Sequence, residues 1–255
     1  MGTIAELLTP LEMVLAALVV LGAGLIKGMV GFAMPMIMIS GLSTLIAPEL
    51  ALAALILPTV MTNAQLALRE GPKAALETIK RFGLFLAVGG VFLIASAQLV
   101  TVLPQRWLFL MIGGPITLFC LMQLLGWKPR IARTSRRIEA GVGAFAGAVG
   151  GVSGVWGPPT VAYLTAIDTP KGDQMRIQGV IYGLGAVALF GAHLQSGVLN
   201  RASLPLSVVA LVPAFAGMWI GLRLHDRVDQ RLFRRITLAV LLIAGLNLIR
   251  KGLLS

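Results

Sequence analysis

The chain has 255 residues, 57% of them hydrophobic and 12% charged, with a formal charge of +11 and a mean hydropathy of +0.91. Soluble domains carry roughly 25% charged residues, so the composition excludes one and describes an integral membrane protein with no soluble domain. The basic residues sit in connectors between apolar runs, where they set orientation, so a nucleic-acid partner is excluded and the lipid bilayer is the expected surrounding.

Five apolar stretches fall in each half, most near the length that crosses a bilayer. In the first half they are Leu11–Val30, Phe32–Ala47, Pro48–Leu68, Phe82–Leu103 and Trp107–Gly126. In the second they are Ile138–Val152, Val155–Ile167, Ile177–Gln195, Leu204–Leu222 and Ile236–Ile249. The single cysteine, Cys120, lies inside one of them and allows no internal disulfide. No basic leader or small-residue cleavage site accompanies the first run, so a removed signal peptide is not indicated.

The opening pair of each half is rich in glycine and then meets proline: Pro35 in the first, Pro158 and Pro159 in the second. Glycines spaced four and three apart share a helical face that another backbone or a small ligand can approach, and proline ends the helix. A shift of 126 residues superposes Gly24 on Gly150, Gly28 on Gly154 and Gly31 on Gly157. Gln105–Arg106 against Gln230–Arg231, and Gly89 against Gly217, are weaker traces of the same duplication. Apolar segments broken at corresponding places of two halves point to a transporter's binding site.

Lysine and arginine give the orientation. Segments 69–81, 128–137, 168–176 and 223–235 hold four, five, two and five basic residues, whereas the remaining connectors hold at most one. The positive segments are expected on the cytoplasmic side. That requires each glycine-rich pair to enter and return as a hairpin. The expected fold is therefore all-α, with two inverted repeats, each a broken hairpin plus three transmembrane helices, and both termini outside. The divisions are 1–127, a basic linker at 128–137, and 138–255.

Lys27 is the only basic residue inside an apolar segment, beside the break at Gly28 and Gly31. Intramembrane charge marks a functional candidate. It can meet an anion there with free N–H groups at the start of the next half-helix, or snorkel to the headgroups. Ser153 takes the corresponding place in the second half, among Gly154, Trp156 and Gly157, and its hydroxyl and the indole N–H can donate to an oxyanion. Thr59, Thr62 and Asn63 share one helical face, and Gln178 and Tyr182 share another one turn apart, so both faces look inward. Asn63, Gln178 and Tyr182 join the candidate binding set. His193 is expected to be structural. No metal-ligand cluster, nucleotide loop or intramembrane carboxylate is visible, so no catalytic residue, metal or cofactor is expected.

With the glycine pair, the halves and the tail Gly217, Gly221, Leu224, Phe233, Arg234 and Gly245 in view, the chain resembles the sulfite exporter TauE/SafE family over essentially its whole length. The resemblance implies a carrier of the bacterial inner membrane moving sulfite, sulfonates or other small organosulfur anions, usually outward. Family members often have a neutral residue where this chain has Lys27. Whether it acts as carrier or anion channel, and whether it forms a homodimer, stays open. A distant alternative is an intramembrane serine protease, because Gly151–Gly154 looks like the rhomboid serine segment and His193 like its base. That alternative needs Ser153 and His193 within hydrogen-bond reach.

Overall fold

The computed structural model describes residues 9–31, 33–127, 131, 135–224 and 229–254. Phe32, most of the linker 128–137, Glu6 near the N-terminus and Arg227 in the last basic segment lie outside the described residues. Among the described residues every regular element is a helix.

The first half begins with α1 (Pro10–Val30), opened by a Thr9/Glu12 capping box with Pro10 at the first turn, which satisfies orphan N–H groups before the apolar run starts. Gly31, in the left-handed region at φ 80°, ends it by donating its N–H to the Lys27 carbonyl at 2.7 Å. After Ala33, also left-handed at φ 76°, α2 (Met34–Leu45) starts with Pro35 in its first turn. Then follow α3 (Pro48–Ala67), α4 (Pro72–Arg81), α5 (Gly83–Ala97) and α6 (Gln105–Leu124). The second half repeats the plan: α7 (Arg136–Ser153), α8 (Gly157–Ala166), α9 (Lys171–Ser196), α10 (Leu204–Leu224) and α11 (Gln230–Leu254).

Two boundaries differ from expectation. The stretch 69–81, read as a connector, contains α4, bent 79° from α5. It buries Ala75 and Thr78 and exposes Lys73, Lys80 and Arg81, as a helix lying along an interface does. The expected span Phe82–Leu103 is helical only to Ala97, and its 15 residues reach about 22 Å, short of a hydrocarbon core of about 30 Å. By length and composition α1, α3, α6, α9, α10 and the apolar part of α11 can cross a membrane, and α5 qualifies only together with α4. Thus α1, placed above in a hairpin, is itself long enough to span. The protein is a multi-pass membrane protein: apolar side chains such as Leu18, Leu118, Val212 and Ile243 stand outward and exposed, where lipid is the only favourable neighbour.

The packing is the same under exchange of the halves. Helix α1 lies along α10 as α7 lies along α5, α3 meets α10 as α9 meets α5, and α3 pairs with α9 and α6 with α11. Glycine makes the two long seams. A methyl group at Gly24, Gly28, Gly217 or Gly221 would stand 2.0–2.3 Å from a carbonyl oxygen across the α1–α10 seam, and one at Gly147 2.0 Å from the Gly89 carbonyl across α5–α7. Backbones in lipid associate this closely only where side chains are absent. Gly89 and Gly217, matched in the sequence, both lie in these seams, Gly217 the tighter of the two.

Helix α3 carries Pro58, which has no N–H to offer the Ala54 carbonyl. Ser207 of α10 repairs the gap: its hydroxyl donates to Ala54 O at 3.4 Å and accepts the Leu57 N–H at 2.9 Å. Thr62 and Asn63 stand one turn beyond this proline.

Candidate functional site

Both helix breaks are where the sequence puts them, and they meet. Gly154 ends α7 as Gly31 ends α1, left-handed at φ 70° with its N–H on the Gly150 carbonyl at 2.7 Å. Matching these two caps gives a shift of 123 residues rather than 126. It superposes Gly24 on Gly147, Gly28 on Gly151, Gly31 on Gly154 and Pro35 on Pro158. Lys27 then corresponds to Gly150, and Ser153 to Val30, which corrects the placement of Ser153 opposite Lys27.

One small cavity lies between the two breaks, lined from the first by Lys27, Ala33, Pro35 and Met36, from the second by Gly154–Gly157, and from the α3–α9 pair by Asn63 and Tyr182. The space left for the centre of a water molecule is about 20 Å³, room for one water. The site is closed.

Lys27 is 2% exposed and does not snorkel. Its Nζ donates to Thr62 Oγ1 at 2.9 Å and to Asn63 Oδ1. Thr62 can accept because its own hydroxyl is spent on the Pro58 carbonyl at 2.6 Å. Among the described residues the ion pairs join Arg176 to Glu70 and Asp173, and none reaches Lys27. Asn63, having turned its oxygen to the lysine, leaves Nδ2 buried without a partner, and Trp156 Nε1 is likewise unpartnered. An unmade hydrogen bond of this kind costs about 1–3 kcal/mol. The residues that line the cavity thus include one amine and two side chains with an idle N–H, a chemistry that suits an acceptor-only group such as an oxyanion.

Trp156 is held by absence on both sides. A methyl at Gly150 would come 2.9 Å from its ring, and one at Gly185 of α9 2.9 Å as well. The Tyr182 ring meets it edge-on at 6.4 Å, and the Tyr182 hydroxyl donates to the Gly157 carbonyl at 3.3 Å. The indole also borders an apolar groove between α5, α7 and α9. Its ring lies against Gly150, the position that the register above matches to Lys27.

The structure gathers Lys27, Asn63, Gly154, Trp156, Gly157 and Tyr182 at this cavity. It places the other candidates elsewhere. Gly28 faces Met218 and Gly221 in the α1–α10 seam, Gly31 is the α1 cap, and Gln178 is buried on α9 away from the lining. Ser153 donates to Val149 O at 2.6 Å and accepts the Val155 N–H at 3.1 Å, so it braces the end of its own helix. The backbone donors expected at the half-helix starts are fewer than supposed, because Pro35, Pro158 and Pro159 have no N–H. Side chains supply the donors instead. The chemistry missed in the sequence is Gly150 and Gly185 as the slot for the indole, though Gly185 stands one turn from Tyr182 on the same face.

The protease dyad is absent. His193 is buried with Nε2 on the Gly151 carbonyl at 3.1 Å and Nδ1 on Ser196 Oγ at 3.0 Å; since a carbonyl only accepts, Nε2 carries the proton. Both histidine nitrogens are engaged, and neither with Ser153.

In comparison with known proteins, the family model described as sulfite exporter TauE/SafE matches residues 16–248. No curated protein and no solved structure gives a significant match.

Proposed function

Because the chain belongs to the sulfite exporter TauE/SafE family, a family of membrane transporters of small anions, we propose that it is a secondary carrier of sulfite, a sulfonate or a related organosulfur anion, working outward across a bacterial cytoplasmic membrane. The observation that carries the site assignment is the buried Lys27 amine, with no carboxylate partner among the described residues, lining a small cavity together with Asn63 and Trp156, each of which keeps an idle N–H. An anion bound there completes three polar groups at once.

The halves 1–127 and 138–255 are proposed to be inserted in opposite senses, with the basic segments cytoplasmic and both termini outside. Their exchangeable packing supports this. Alternating access then follows from rocking one set of seams against the other around the fixed breaks. Room for a single water favours a carrier caught between its open states over a channel.

Uptake of radiolabelled sulfite into proteoliposomes tests this. Lys27→Ala removes a charge-assisted donor, worth about 1.5–3 kcal/mol, so apparent affinity falls about 10- to 100-fold, while Lys27→Arg keeps most of it. Counter-flow by unlabelled anion marks a carrier. Equal affinity in all three proteins removes Lys27 from the site.

A further inference from the structure

The donors of Lys27 can be counted. An uncharged lysine amine has two N–H bonds and a lone pair, and an ammonium has three N–H bonds. Two are already given to the neutral acceptors Thr62 Oγ1 and Asn63 Oδ1. What the third position offers the cavity therefore depends on one proton: a lone pair, which repels an anion, or an N–H, which holds it.

Among the described residues the surroundings supply no counter-charge. Helix α2 brings Ala33, Pro35 and Met36 to the cavity, and none of its residues is charged. On α3 the only acid is Glu49, at the far end, about 21 Å along the helix from Asn63. Helix α10 meets α1 through Met218 and Gly221, and its Arg223 is exposed over the Trp219 ring. The second break, Gly154–Gly157, is uncharged, and α8 has no charged residue. Helix α9 contributes Tyr182, bonded to Gly157; its Arg176 is tied to Glu70 and Asp173, and its His193 to Gly151 and Ser196. On α11, Lys251 reaches the Ser43 and Thr44 carbonyls at the opposite end of α2. The last-turn carbonyls of α1 favour a cation by up to about 2 kcal/mol. Burying an unpaired ion costs several kcal/mol, and while the cavity is empty no anion offsets that cost.

We propose that Lys27 takes up one proton together with each anion and returns it when the anion leaves, so that the two travel as a pair. The balance is an uncharged amine, a proton and the anion on one side, and an ammonium–anion pair on the other. Nothing else is consumed, and the anion is itself the missing counter-ion. Occupied and empty sites are then both neutral for a monoanion, the condition under which a buried cavity can cross the low-dielectric core in either state. This rests on the anion-carrier reading above.

Calorimetric titration of the full-length protein with methanesulfonate and with sulfate tests it, since neither anion changes protonation near neutral pH. Two buffers of unlike ionisation enthalpy are used, neither a sulfonate nor a phosphate. About one proton taken up per methanesulfonate is expected, with Kd rising about tenfold per pH unit once the amine is free. In Lys27→Arg, whose guanidinium is always charged, methanesulfonate binds with no proton uptake and no such pH slope. Binding to the unaltered protein without proton uptake overturns this proposal and leaves the anion site standing. Absence of binding by both anions overturns the anion reading beneath it.

Discussion

The two helix breaks are alike in backbone and unlike in chemistry. Each ends its first helix on a left-handed glycine, Gly31 or Gly154, and opens its second with a proline at the second position, Pro35 or Pro158. Each first helix is laid against a partner from the other half by glycine. Yet the first break sends a lysine into the shared cavity, where the second has Gly150 with the Trp156 indole folded over it. The two breaks share a backbone plan, and the lysine stands on one side only. A lysine from each half would face its like across a cavity with room for one water.

The strongest way to break this comparison is at the seams. Gly147→Ala and Gly217→Ala each push a methyl to 2.0 Å from a facing backbone carbonyl, while Gly90→Ala meets nothing within 4 Å. If the halves are equivalent scaffolds, the first two cost about 3 kcal/mol each and the third is neutral or slightly stabilising. Thermal unfolding and the yield of monodisperse protein in detergent give the answer. A large loss at one seam with tolerance at the other shows that the halves do not share the load.

The chemical side of the comparison sharpens at Trp156. Trp156→Phe keeps a ring between Gly150 and Gly185 and deletes the idle Nε1–H. Anion affinity should fall about 3- to 10-fold, the worth of a neutral hydrogen bond, while Tm holds or rises because a buried unpartnered donor is gone. The effect is smaller than that of Lys27→Ala, because the indole donates without charge. A loss of Tm with unchanged affinity makes Trp156 a packing residue only.

Much of this was readable in the residues. Glycine and proline punctuate the breaks, an apolar neighbourhood makes Lys27 conspicuous, and Thr59, Thr62 and Asn63 declare an inward face by their spacing; all three are fully buried. The register was misread because the four-and-three glycine pattern occurs twice within 147–157, once as Gly147, Gly151 and Gly154 and again three residues later. Glycines alone cannot choose between them. Proline decides, since the smaller shift also brings Pro35 onto Pro158, and Ser153 then loses its partnership with Lys27. Helix α4 was missed because its basic residues were read for sidedness, and a run of charges says nothing about the amphipathic face behind them. The early end of α5 was missed because hydropathy does not distinguish a helix from the apolar turns of 98–103. That Thr62 and Asn63 would accept from Lys27 depends on two helices meeting in space.

The central helices offer a finer contrast. Helix α9 runs through 26 residues without proline, whereas α3 carries Pro58 and is bonded at that turn by Ser207 of α10. Ser207→Ala removes the donor that serves the Ala54 carbonyl and an acceptor of the Leu57 N–H in a buried part of the protein, a loss of about 1–2 kcal/mol. In a Pro58→Ala background the new N–H at 58 can bond Ala54 itself, so the same serine change should cost less. The coupling between the two sites, read from Tm or chemical unfolding of the four proteins, is expected at about 0.5–1 kcal/mol. Additive losses would mean that Ser207 contributes packing rather than repair. If the coupling holds, anion affinity also follows this turn: Thr62 Oγ1 rests on the Pro58 carbonyl, so a change of backbone at 58 shifts Thr62 and Asn63 against Lys27, and Pro58→Ala should weaken binding even though it removes no group from the cavity.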